Sequence, residues 1–147
     1  PSTITLSGHY RAVLEAGGVV KEVREGHNVV TTVGKEFIAS FLKSAAAAAS
    51  TFTCKYVAVG TDATAEAIGN TALGTELARH TAAVSYTSGG ILNLTATFIS
   101  GLGTGAIVEY GVLSSSTGGT LLSRDTEAVI NKSANDTLTV QWTLTFT

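Results

Sequence analysis

The sequence predicts a mainly β protein, an antiparallel β-sandwich of jelly-roll type with one α-helix at about residues 33–49. Three observations carry this. Residues 137–147 alternate polar and apolar side chains without a break or a charge, the period of a strand with one dry face. Turn signals rich in Gly, Ser, Asn and Asp recur roughly every 8–12 residues along much of the chain, the spacing of short strands in a sandwich. One stretch switches to a helical period.

The last strand fixes the rest. Leu138, Val140, Trp142, Leu144 and Phe146 share one face, and threonines with Gln141 fill the other. Trp142, the only tryptophan, is the expected core anchor. At the other end, residues 1–8 alternate weakly around Ile4 and Leu6 and read as an edge strand or an N-terminal arm. Ile4 and Leu6 would then be the alternate anchors with which the arm adds to a neighbour's sheet. Residues 12–16 and 19–24 flank Gly17-Gly18, a tight hairpin signal, and Glu15, Lys21, Glu22, Arg24 and Glu25 make this hairpin the most charged part of the chain. Val33, Phe37, Ile38, Phe41, Leu42 and Ala45 then form a helical stripe that Thr31 or Thr32 can cap. Five alanines, 45–49, extend it with little area to bury.

Residues 53–59 predict an inner strand, and residues 60–74 a long loop of the kind that usually has a role. Residues 75–86 and 91–99 read as a second hairpin around Ser88-Gly89-Gly90. Strands follow at 106–113 and 120–124, with pairing resumed at 127–130 before a turn at 131–136. No internal repeat or linker interrupts residues 1–147, so they read as one domain.

The chain has 44% hydrophobic and 14% charged residues, which argues against disorder. A net charge of −2 gives no basic footprint for nucleic acid or an anionic membrane, and neither is expected as a partner. No apolar run approaches the roughly 20 residues of a membrane-spanning helix. Cys54, the only cysteine, excludes an internal disulfide and reads as a small buried hydrophobe.

Chemistry is sparse. His9, His27 and His80 are scattered, with no second ligand at metal spacing, and no metal or cofactor is expected. No Gly-x-Ser-x-Gly elbow is present. The run 101–105 is glycine-rich but lacks a Walker lysine or Rossmann context, so it reads as a turn. Asp62 and Glu66 share the long loop and read as solvated acids in preference to cation ligands. Glu109 interrupts an otherwise uncharged strand. A buried carboxylate must be paired or protonated, and Arg79 and Arg124 flank candidate strands as its natural partners. A structural ion pair is favoured over a catalytic acid, since no second carboxylate lies in an equally apolar setting. The reading is therefore of a protein that is not an enzyme.

Taken in order, the chain carries Asn28-Val-Val-Thr-Thr-Val-Gly-Lys35, Tyr56-Val-Ala-Val-Gly-Thr61 and Thr71-Ala-Leu-Gly-Thr-Glu-Leu-Ala-Arg79. It continues with Gly105-Ala-Ile-Val-Glu-Tyr-Gly-Val112, Gly118-Gly-Thr-Leu-Leu-Ser-Arg124 and Leu138-Thr-Val-Gln-Trp-Thr-Leu144. This ordered set resembles a family of tailed-bacteriophage virion structural proteins, found as head decoration (cement) proteins and in tail-associated contexts. The resemblance spans residues 12–147 and implies a β-sandwich or β-tulip domain that forms a homotrimer on the capsid. Its partner would be the major capsid protein in the assembled shell, and its place the virion surface after synthesis in the host cytoplasm. It brings no catalytic residues. The alternative is a tail- or fibre-associated virion protein with a glycan-binding face.

Overall fold

The computed structural model describes residues 3–43 and 53–147. In chain order the elements are β1 (Leu6–Ala16), β2 (Val19–Val30), α1 (Thr32–Lys43), β3 (Tyr56–Gly60), β4 (Glu76–Thr81), β5 (Ala83–Thr87), β6 (Ile91–Phe98), β7 (Gly105–Leu113), β8 (Leu121–Lys132) and β9 (Thr137–Phe146). The strands form one antiparallel sheet in the order β4-β3-β7-β8-β2-β1-β9-β6-β5. The sheet curls until it nearly closes like a barrel. The turning point is the end of β2. Most of β2 pairs with β1, from Ala16↔Val19 to Gly8↔Asn28, and only Val29 and Val30 reach β8.

Inner residues of β1, β3, β6, β7, β8 and β9 merge into one core. Strand β9 shows why its alternation matters. Leu138, Val140, Trp142 and Leu144 are fully buried, while Gln141 on the opposite face is exposed. Register matches like with like: Trp142 faces Tyr10 on β1 and Leu94 on β6, and Val140 faces Ala12 and Ala96. The Trp142, Tyr10 and Tyr110 rings form a continuous stack, with centroids 5.5 Å and 4.8 Å apart.

Gly17 and Gly18 turn the β1–β2 hairpin with φ of 57° and 79°, positive at both positions as a two-residue turn of this hand requires. Thr31 is the helix cap: its hydroxyl accepts from the Gly34 amide at 3.0 Å, while its own amide donates to the Leu122 carbonyl at 3.0 Å. A Cβ on Gly34 would stand 2.4 Å from the Leu122 carbonyl oxygen, so α1 lies with its backbone against β8. Ile38 packs on the core. The alanine run 45–49 and the expected helix end near residue 49 lie outside the described residues.

Three expectations need correction. Residues 75–86 are two strands, with β4 paired to β3 and β5 to β6. The chain crosses between the two halves at buried Ala82, whose amide donates to the Lys55 carbonyl at 2.7 Å. No Gly, Pro, Asn or Asp stands between residues 75 and 86 to signal a break, so the sequence conceals the change of partner. Residues 121–132 are a single strand, whose register against β7 shifts between Ile107 and Glu109 and again between Val112 and Leu113. Residues 6–8 are not an arm: they belong to β1, between β2 and β9, with Leu6 opposite Phe146 and Gly8 opposite both Leu144 and Asn28. Backbone bonds between Thr5 and Thr147 extend that pairing, and Ile4, 80% exposed, lies beyond it.

Candidate functional site

The densest polar constellation is built on Glu109 and the long loop between β3 and β4. Glu109 sits on β7 with its side chain fully buried, and both carboxylate oxygens are taken. Oε2 accepts from Arg124 Nε at 3.0 Å, Arg124 Nη2 at 2.9 Å and the Gly74 amide at 2.9 Å. Oε1 accepts from the Thr75 amide at 2.7 Å and the Asp62 amide at 3.2 Å. Arg124, on neighbouring β8 and 2% exposed, also donates through Nη1 to the Thr64 carbonyl at 3.0 Å and to Asn70 Oδ1 at 3.3 Å. Its Nη2 stands 3.5 Å from an Asp62 oxygen.

This network is a clamp. Loop amides that would otherwise need water converge on a carboxylate, and a guanidinium fork supplies the counter-charge. The loop helps itself: Asp62 accepts from the amide and hydroxyl of Thr64 at 3.0 and 2.8 Å, bonds that hold its carboxyl below the usual range. Asn70 accepts from the Ala67 amide at 2.7 Å, and the Ile68 carbonyl accepts from the Thr32 amide at 2.8 Å where α1 begins. Leu73 drops onto Gly111 between Ala58 and Leu121, giving the loop a small apolar core of its own. A Cβ on Gly74 would lie 1.7 Å from an Asp62 oxygen and one on Gly60 2.3 Å from Glu109 Oε1, so the loop closes only with glycine at these positions.

Of the expected partners of Glu109, Arg124 is in contact and Arg79 is not. Arg79 on β4 makes a two-pronged pair with Glu76 at 2.8 and 2.7 Å and donates to the Ser115 and Gly118 carbonyls at 2.7 and 2.8 Å, tying the sheet edge to the β7–β8 turn. Ile4 and Leu6 line a groove together with Lys35, Ile38 and Ala39 of α1. Trp142 is in the core as described. Cys54 is only partly buried where a buried residue was expected; it packs against the core, and that desolvation pushes its thiol up to about 12.

A second polar cluster was invisible in the sequence. Asp125 on β8 faces Tyr110 on β7, and a Cβ on Gly26 would meet Tyr10 Cε1 at 2.9 Å and carboxylate oxygens of Asp125 and Glu127 at 3.0 Å each. Burial, then the charges of Glu66 and Glu127, push the Asp125 carboxyl up to about 7. Burial also raises both tyrosine hydroxyls. Among the described residues no group of three or more His, Cys, Asp or Glu side chains is arranged to hold a metal ion. Also among them, no helix is long and apolar enough to cross a membrane.

A carboxylate with five donors around it has no lone pair left for a substrate proton. The Glu109 constellation can hold a loop in place, and its chemistry ends there. The chain matches no family model, no curated protein and no solved structure.

Proposed function

We propose that this protein is a non-enzymatic structural component of a tailed-phage virion, a head decoration protein that binds the assembled shell and braces it by bridging capsid subunits. The observation that carries the reading is the saturation of Glu109. The most conspicuous charged residue of the interior is spent on fixing a loop, which suits a rigid surface-binding body and leaves an enzyme without its acid. The jelly-roll or β-tulip class, the trimer and the capsid surface belong to the same proposal and rest on the resemblance of motifs along the chain.

The exterior is compatible with contact by shape. Strand β5, at one end of the sheet order, is exposed along its whole length, uncharged, and presents Val84 and Tyr86. Open strand edges of this kind are covered in stable assemblies. Val19 and Val20 stand exposed at the tip of the β1–β2 hairpin. Three modest contacts on one rigid trimer add up to strong avidity. A glycan-reading face has less support, because Tyr10 and Tyr110 are buried and Tyr56 is partly so, which leaves Tyr86 without an aromatic companion among the tyrosines.

The test is to mix purified protein with undecorated mature shells and with free capsid subunits, at low and high salt, and to sediment the shells. With a net charge of −2, binding to shells alone and little changed by salt is expected. Absence from the shell pellet at both salt concentrations overturns the decoration reading.

A further inference from the structure

His9 and His27 are 18 positions apart in sequence, and the hairpin register sets them directly opposite each other on β1 and β2. Their ring centroids are 5.6 Å apart and their planes meet at 68°. His27 is exposed and His9 half-exposed. Neither ring hydrogen-bonds to another described residue, so ring nitrogens are free on both.

We propose that His9 and His27 form a two-histidine chelate for a late first-row divalent cation, of the class of Ni2+, Cu2+ and Zn2+. Geometry carries the assignment. Metal–nitrogen bonds are about 2.0–2.1 Å, so two imidazoles at a tetrahedral angle on one ion have centroids about 5 Å apart. The observed 5.6 Å is within a small side-chain rotation of that value. Directly opposite residues of an antiparallel pair have Cβ atoms about 4.5–5.5 Å apart, and the sheet holds this spacing whether or not an ion is present. The second imidazole therefore binds intramolecularly, without the cost of recruiting a separate ligand. Imidazole favours these metals over the hard cations Mg2+ and Ca2+.

The surroundings tolerate the ion. The next pair on the same face of the ladder is Arg11 opposite Glu25, joined at 2.9 Å, so its two charges cancel beside the site. On the other side of His9, β9 contributes uncharged Thr143, whose hydroxyl donates to Asn93 Oδ1 at 3.2 Å. With two protein ligands the other coordination positions belong to water, and they face outward where a donor from another molecule can replace it. The pair depends on the Gly17-Gly18 turn together with the register shift between Leu14 and Glu15: the turn's own register would set His9 opposite Gly26, and the extra residue on β2 brings His27 into place.

The experiment uses tag-free full-length protein, with calorimetric titration of NiCl2 and retention on a Ni2+–iminodiacetate resin. Wild type is expected to bind saturably and to be retained until imidazole is added. His9→Thr and His27→Thr, surface changes to a strand-compatible residue, should each weaken binding roughly tenfold or more as one coordinate bond is lost. Their melting curves without metal should match wild type, and His80→Thr should bind like wild type. Wild type that shows no saturation up to about 1 mM Ni2+ overturns the assignment, as do His9→Thr and His27→Thr proteins that bind as wild type does.

Discussion

Replacing Glu109 by Gln preserves shape and removes charge, which isolates what the clamp contributes. A Gln amide has one acceptor oxygen, whereas five donors now converge on two. With its nitrogen in the Oε2 place, the amide faces Arg124 and the Gly74 amide, donor against donor. Turned over, it faces the Thr75 and Asp62 amides instead. In either pose Arg124, 2% exposed, loses its closest counter-charge and keeps only the part-exposed Asp62 carboxylate, 3.5 Å from Nη2. Each charge-assisted bond is worth about 1.5–3 kcal/mol, and breaking a buried pair costs about 3–5 kcal/mol in all. The expected loss is therefore about 3–5 kcal/mol, read from the urea midpoint at an unchanged m-value. Pairing Glu109→Gln with Arg124→Met removes the stranded charge, so the double variant should lose less than the sum of the singles by about 1–3 kcal/mol. A loss below about 1 kcal/mol, with additive doubles, would refute the clamp. An activity abolished by Glu109→Gln at intact stability would favour a hydrolase.

Trp142→Ala should cost about 3–5 kcal/mol in the same assay, and unchanged stability would mean that β9 does not anchor the core. Gly34→Ala should lower stability by about 1–3 kcal/mol, since its Cβ meets the Leu122 backbone and not a movable side chain; a neutral result would show that α1 can lift off β8. Asp125 predicts a pH dependence. Its folded-state value of about 7 lies above its ordinary 3.8, so between these limits the folded chain binds more protons and stability falls as pH rises from about 4 to about 7. The rise corresponds to at most about 4 kcal/mol, and Asp125→Asn should flatten this part of the curve; an equal slope in the variant would assign it to other groups.

How far the sequence reaches depends on whether the signal is local. The β9 alternation, the Gly17-Gly18 hairpin and the Thr31-capped helix are local, and each is found where the pattern put it. The crossing at Ala82 was hidden because both halves of residues 75–86 suit a strand, and nothing local names the neighbour. The start of β1 was hidden too. Weak alternation around Leu6 resembles that of an edge strand, and only the long-range pairing with Phe146 makes it central. Glu109 stood out because a charge in an apolar strand needs a partner, and Arg124 was one of two candidates. The loop amides that complete its shell carry no side-chain signature beyond the glycines at 60 and 74. Asp125 and the His9–His27 pair depend wholly on strand register, which periodicity cannot supply.

The pairing of β1 with β9 also alters how an N-terminal contribution is to be tested. Deleting residues 1–8 would remove part of a central strand, so the informative truncation stops at Ile4, the exposed residue before the pairing begins.

The most direct measurement is electron microscopy of phage particles assembled with and without this chain. The account predicts added density on the outer shell surface at regularly repeated positions, with a volume that fits three copies of this fold, and shells that survive heating better when it is present. Density confined to the tail or its fibres, with shells that are indistinguishable in both preparations, would contradict it.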